Sequence, residues 1–258
     1  MNNKFKEKFE NKLLKILKKY DDKKYGIIIK NLGNDFFIKV GNMEQYQAAS
    51  LIKLTILYEL FNNPKYNLDK EMKITSTDKV AGYGIVQYLH ENIKFTLRDL
   101  AILMIILSDN TATNMLIDIC GMDSINFTIK KLGLKNTILQ RKMMDSKSKN
   151  IGLDNYTSPN DMMKLLEVLN ENEEIISIMK KQLCNNKIPY FFEEKIDFAH
   201  KTGDLPQIEH DIGILSIGDQ KIIIVIMTKN FKNKDEIELN NKVGELIYNF
   251  IEECPNEW

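Results

Sequence analysis

Cysteine is scarce in this chain: three residues, Cys120, Cys184 and Cys254, odd in number, far apart and with no CxxC pair. That spacing excludes a disulfide framework and argues against a structural zinc site. The thiols are expected to be small buried hydrophobes in a reducing compartment. The three histidines, His90, His200 and His210, form neither HxxxH nor HExxH, and no metal is expected. Glycine (12) and proline (5) are too few for collagen or a Pro/Gly-rich linker. A charge excess is missing as well. Thirty-six basic residues face 36 acidic ones, which points away from nucleic acid and from an anionic membrane surface. The longest apolar run, Leu100 to Leu107, is eight residues, against about 20 for a bilayer helix, so no membrane span is expected. The first ten residues hold no continuous apolar stretch and no small-residue cleavage site. The chain as it stands is expected in the cytoplasm, or outside it if a leader has been removed.

What is present is ordinary globular material. Hydrophobic residues make up 43% and charged residues 28% of 258 positions, enough for one large domain or two packed lobes. No internal repeat or low-complexity stretch interrupts it. Phe5, Phe9, Leu13, Leu14, Ile16 and Leu17 recur at helical spacing among lysines and predict an amphipathic helix over 5–19. Two β-runs, 25–30 and 36–40, flank a Gly-containing hairpin loop at 31–35.

The middle reads as helices: 51–61, a fully buried one at 97–107, 113–120 capped by Gly121, and 160–169 opened by Ser158-Pro159. Strands return at 197–202, 211–217 and 221–228, with a turn at 218–220 between the last two, and a helix over 236–251 closes the chain. This order implies an α+β fold. The strands of both chain ends form one five-stranded antiparallel sheet flanked by the terminal helices, beside an all-helical lobe. We expect a single domain, 1–258, with an α/β lobe at about 1–45 and 190–258 and a helical lobe at about 46–189. A small-molecule site belongs in the cleft between them.

A serine nucleophile needs a base within hydrogen-bond reach, and Ser-x-x-Lys on a helix supplies one on the same face. Chance alone predicts about one such tetrapeptide in this composition, and four occur, beginning at Ser50, Ser76, Ser146 and Ser177. Only Ser50-Leu51-Ile52-Lys53 follows small residues, Ala48-Ala49, and opens an apolar helix, whose free N–H groups favour an oxyanion. Two rarer elements follow in order, Ser108-Asp109-Asn110 at the end of the buried helix and Lys201-Thr202-Gly203 on the first late strand. Each tripeptide is expected fewer than roughly 0.1 times by chance.

The set SxxK, SDN, KTG, in this order and with separations of 58 and 93 residues between its leading residues, resembles class A β-lactamases and their penicillin-binding relatives over nearly the whole chain. The resemblance implies roles. Ser50 attacks the carbonyl and carries the acyl group. Lys53 helps take its proton, directly or through water, and Ser108 relays a proton to the leaving nitrogen. Asn110 binds the substrate's side-chain amide carbonyl and steadies Lys53. Lys201 places a positive charge beside Ser108 and attracts the substrate carboxylate, which Thr202 hydrogen-bonds. Gly203 lets the strand lie close to substrate. The backbone N–H groups of Ser50 and Asp204 form the oxyanion hole. Tyr83, between Gly82 and Gly84, stands where similar enzymes have an aromatic wall.

One departure matters. Class A β-lactamases carry a Glu in an E-x-x-L-N segment that activates the deacylating water, and here residues 136–158 contain no Glu. Arg141-Lys142-Met143-Met144-Asp145 occupies the place, so Met143 or Met144 is expected where the carboxylate should be. Asp145 is either a shifted base or the partner of Arg141 or Lys142 in a loop ion pair. The resemblance therefore implies a cofactor-free, monomeric serine hydrolase acting on a small β-lactam or related amide or ester, with slow hydrolysis of the acyl-enzyme. A D-Ala-D-Ala peptidase or esterase, and a penicillin-binding sensor without catalysis, share the same motifs.

Overall fold

The computed structural model describes residues 3–193, 196–230, 232–254 and 258. Five strands form one antiparallel sheet: β1 (Lys24–Asn31), β2 (Phe37–Gly41), β7 (Asp197–Leu205), β8 (Ile208–Ile217) and β9 (Gln220–Lys229), in the order β2-β1-β9-β8-β7. Two short pairs lie outside it, β3 (Tyr46–Gln47) with β6 (Tyr156–Thr157) and β4 (Glu71–Lys73) with β5 (Lys94–Thr96). The helices are α1 (Asn3–Leu17), α2 (Lys53–Asn62), α3 (Leu97–Ile106), α4 (Asn110–Cys120), α5 (Met122–Lys131), α6 (Ser146–Asn150), α7 (Pro159–Leu169), α8 (Glu173–Met179) and α9 (Asn233–Glu253).

The sheet's isoleucine runs are buried on both faces, and alternation sorts them between two cores. Ile27 and Ile29 on β1, with Ile222, Ile224 and Ile226 on β9, face α1 and α9. Ile28, Ile223, Val225 and Met227 face the helical lobe. On α1 the buried stripe is Phe5, Phe9, Leu13 and Leu17, an i,i+4 series, while Leu14 points outward. Phe5, Phe9, Phe36, Phe250 and Trp258 meet edge-on or tilted beneath it, with ring centroids 4.9–5.8 Å apart.

The expected architecture is therefore present, with local corrections. The late strands run further than their hydrophobic pattern, because a two-residue turn at Pro206-Gln207 joins β7 directly to β8. Gln207 takes φ +61 there, and its N–H donates to Asn233 Oδ1 (3.0 Å). The segment 97–107 is not buried all round. Ile102, Leu103, Ile106 and Leu107 are half-buried. Ser108-Asp109-Asn110 is not a helix end alone. Asp109 N-caps α4 by accepting from Ala112 N (2.9 Å), and Asn110 is the first residue of α4, not a C-cap of α3.

Candidate active site

Ser50 lies in a 3-10 turn, Ala49–Ile52, that runs into α2. Four contacts fix this turn from outside. Gln47 O accepts from Nε2 of buried His210 (3.0 Å), and Gln47 Nε2 donates to Asp154 (2.7 Å). Ala48 N donates to Asn155 O (2.8 Å), and Gly203 on β7 lies against Ala48, Ala49 and Leu51. His210 also accepts from Thr228 N and is fully buried, which pushes its pKa down to about 4, so the ring is a neutral strut. Ala49 takes φ +47, a conformation costly for a residue with a Cβ, immediately before Ser50.

Lys53, one turn on, is fully buried. Its Nζ donates to Ser108 O (2.6 Å), Ser108 Oγ (3.0 Å) and Asn110 Oδ1 (3.0 Å). Burial, helped by the nearby charge of Lys201, holds its pKa well below that of an ordinary lysine. Lys201 Nζ reaches the same hydroxyl, Ser108 Oγ, at 3.1 Å, and donates to Thr202 O at 2.9 Å. Burial lowers Lys201 to about 8, with Asp204 opposing the fall. One hydroxyl thus joins two buried amines. Ser108 can present it because its backbone sits at φ +54 in the junction between α3 and α4.

Asp109 anchors that junction and the loop above it, accepting from Ile85 N (2.7 Å) and Val86 N (2.9 Å). Gly82 and Gly84, at φ +96 and +105, let the loop close down. A Cβ on Gly84 would stand 2.2 Å from the Asp109 carboxyl, and one on Gly82 would stand 2.6 Å from Asn110 Nδ2. Tyr83 rises from this loop, about half exposed, while its carbonyl accepts from Asn110 N (3.0 Å).

Ala49, Ser50, Gly82, Tyr83, Asn110, Asp204 and Leu205 line one side of a cleft of ≈ 240 Å³. Arg141, Met143, Met144, Asp154 and Asn155 line the other. On that second wall the loop is pinned rather than poised. Arg141 pairs with buried Asp154 through Nε (2.8 Å) and a terminal nitrogen (2.7 Å). Asn155 Oδ1 accepts from Gln140 N and Arg141 N, and Asn114 clasps the Met143 backbone in both directions. Met143 is buried, and Met144 projects at φ +60, more than half exposed.

The structure does not bring Asp145 to the cleft. Its carboxylate caps α6, accepting from Ser148 N (3.0 Å) and Ser148 Oγ (2.6 Å), and these bonds hold its pKa low. Neither expected loop ion pair forms with it, since Arg141 takes Asp154 and Lys142 takes Asp118. Gly203 also differs from expectation, for the space its missing Cβ leaves is filled by the Ser50 turn. Thr202 Oγ1 is buried with no hydrogen-bond partner among the described residues. Among the described residues, no group of His, Cys, Asp or Glu is arranged to hold a metal.

Sequence reasoning missed the Arg141–Asp154–Gln47 chain, His210 and Lys187. Only Arg141 left a signal, as one of two arginines in the chain. Lys187 is buried and pairs with Asp204 and Glu209.

A sequence profile described as the Beta-lactamase enzyme family matches residues 8–251, and the chain belongs to that family. It is similar to a solved structure of PBP-A, at 26% identity and a TM-score of 0.82 over 95% of this chain and 97% of that one. A mutant of PBP-A, 25% identical, has been solved as its acyl-enzyme complex with penicillin G. A class A β-lactamase from Bacteroides cellulosilyticus shares the fold, at 21% identity and a TM-score of 0.82 over 96% and 99% of the two chains. Beta-lactamase BRO-1 of Moraxella catarrhalis is 22% identical over 94% of this chain and 85% of its own.

Proposed function

We propose that the protein is a serine hydrolase that β-lactams, or related amides and esters, acylate readily at Ser50 and that releases the acyl group slowly. The observation that carries this reading is the hydroxyl of Ser108, within 3.1 Å of two buried lysine amines beside the cleft that Ser50 lines. Burial lowers the pKa of Lys53 well below that of an ordinary lysine, which suits it to act as a base. Lys53 takes the Ser50 proton, directly or through water, as Oγ attacks the carbonyl carbon. The C–N bond then breaks, and Ser108 delivers a proton to the leaving nitrogen, replenished from its lysine neighbours. The backbone N–H groups of Ser50 and Asp204 receive the oxyanion, a contribution typically worth about 10² to 10³ in rate per donor. Asn110 takes a side-chain carbonyl of the substrate, and Tyr83 supplies an apolar wall.

Deacylation needs a water activated against an unstrained ester. On the loop wall the one carboxylate lining the cleft is Asp154, already engaged by Arg141 and Gln47. Asp145 is engaged in its helix cap. Lack of a free base costs about 10² to 10⁴ in rate. The similarity to PBP-A favours a second reading, a penicillin-binding peptidase or sensor whose acyl-enzyme persists. Peptide mapping after brief exposure to a penicillin tests the shared core of both readings. The adduct should sit on Ser50, and an adduct on Ser76, Ser146 or Ser177 would refute them.

A further inference from the structure

Asp204 follows the Lys201-Thr202-Gly203 element on β7, the edge strand beside the cleft, and itself lines that cleft. Side chains alternate along a strand, so Thr202 and Asp204 share a face, about 7 Å apart. Thr202 is the residue expected to hold a substrate carboxylate, and its buried hydroxyl has no hydrogen-bond partner among the described residues. A second carboxylate, belonging to the protein, thus stands next to the place where the substrate's own would bind.

That protein carboxylate is ionised. The buried ammonium of Lys187 holds Asp204 below the usual carboxylate range. Lys187 does not simply cancel it, because the same nitrogen also pairs with Glu209 (2.9 Å) and donates to His210 O (3.0 Å). One ammonium serves two carboxyl groups. Burial raises Glu209, whereas Lys187 lowers Asp204, so Asp204 is the more acidic of the two carboxyl groups. Side-chain exposure runs 1% for Lys187, 10% for Glu209 and 21% for Asp204, so the cluster opens toward solvent through Asp204. Its field also reaches the Tyr83 loop, where Asp204 is the first cause of the raised Tyr83 phenol.

Resting on the serine-acylation reading above, we propose that Asp204 is a specificity-determining residue that disfavours substrates with a carboxylate beside the scissile bond and favours neutral or cationic groups there. Two carboxylates roughly 7 Å apart at an effective dielectric near 20 would repel by tens of fold in affinity, and with Lys187 and Lys201 opposing, about ten-fold remains. Among the β-lactams, amides and esters that can acylate Ser50, the cleft therefore prefers those whose leaving side is uncharged or positive. Lys201 remains as an opposing charge, so a carboxylate substrate is slowed and not excluded.

Benzylpenicillin and its methyl ester differ at this carboxylate alone and serve as the matched probes. Their second-order acylation rates are compared in the wild type and in Asp204→Asn, which keeps the side chain's shape and an acceptor for Lys187. The substitution should raise the acid-to-ester ratio of acylation rates ten-fold or more, whatever it does to the ester alone. A merely structural ion pair would move both alike, and an acid-to-ester ratio unchanged within two-fold overturns the proposal. The same ligands are titrated onto Ser50→Ala with and without Asp204→Asn, where no chemistry is needed. If neither compound acylates the wild type, the acylation reading fails, while the shift in the binding ratio still decides the role of Asp204. No binding of either ligand to either protein overturns both.

Discussion

The two walls of the cleft are built to different ends. The wall formed by the Ser50 turn, α4 and β7 gathers groups that cost stability: two fully buried lysines and left-handed backbone at Ala49 and Ser108. The wall formed by the 141–155 loop gathers groups that satisfy one another: Arg141 with Asp154, Asn155 with the loop backbone, Asn114 with Met143. Unpaid strain and depressed lysines mark chemistry, whereas a closed hydrogen-bond circuit marks scaffold. Under the proposed function, the contrast sets a nucleophile equipped for attack against a loop whose acids are already engaged.

The most severe way to break the first wall is Ser50→Ala, which should abolish the penicillin adduct in intact-protein mass spectra. Lys53→Ala should slow acylation by about 10² to 10⁴, roughly 3 to 5 kcal/mol of barrier, in stopped-flow measurements. Gly84→Ala attacks the support of that wall. Its Cβ meets the Asp109 carboxyl at 2.2 Å from a backbone at φ +105, so unfolding should show a loss of about 2 to 4 kcal/mol.

The second wall is sharpened by adding what it lacks. Met143→Glu or Met144→Glu should raise steady-state turnover ten-fold or more and leave the acylation burst within two-fold. Asp145→Asn should leave both phases unchanged, since its carboxylate is committed to α6.

The smallest effect is on pH. Lys201 is charged below about pH 8 and neutral above it, so acylation by a carboxylate-bearing penicillin should decline as pH rises through about 8. Its folded pKa lies below its unfolded one, so the cost of burying the charge is full below about pH 8. That cost is released as pH rises toward the unfolded value, and relative to Lys201→Met the wild type should gain stability across this window.

The same contrast explains what the sequence could reveal. The first wall is written in short local patterns. Ser50 and Lys53 are one helical turn apart, Ser108 and Asn110 share a junction, and Lys201 to Asp204 are one strand. The sheet was legible because its isoleucine runs and turns are also local. The second wall depends on pairs distant in sequence. Gln47 reaches Asp154, His210 reaches Gln47, and Asn114 reaches Met143, none with a period or motif to announce it. Asp145 misled for the same reason. It was the nearest acid in sequence to the missing glutamate, but Ser148, three residues on, makes it a helix cap. The short helices α5, α6 and α8 escaped notice because their polar faces dilute the apolar period.

The central claim, attack without prompt release, is tested most directly by following the intact mass of the wild type after mixing with one equivalent of benzylpenicillin. A single adduct equal to the whole penicillin should form and persist long after free drug is consumed. Complete hydrolysis of excess penicillin with no adduct accumulating would contradict it, and would mean that the loop wall already supplies a base.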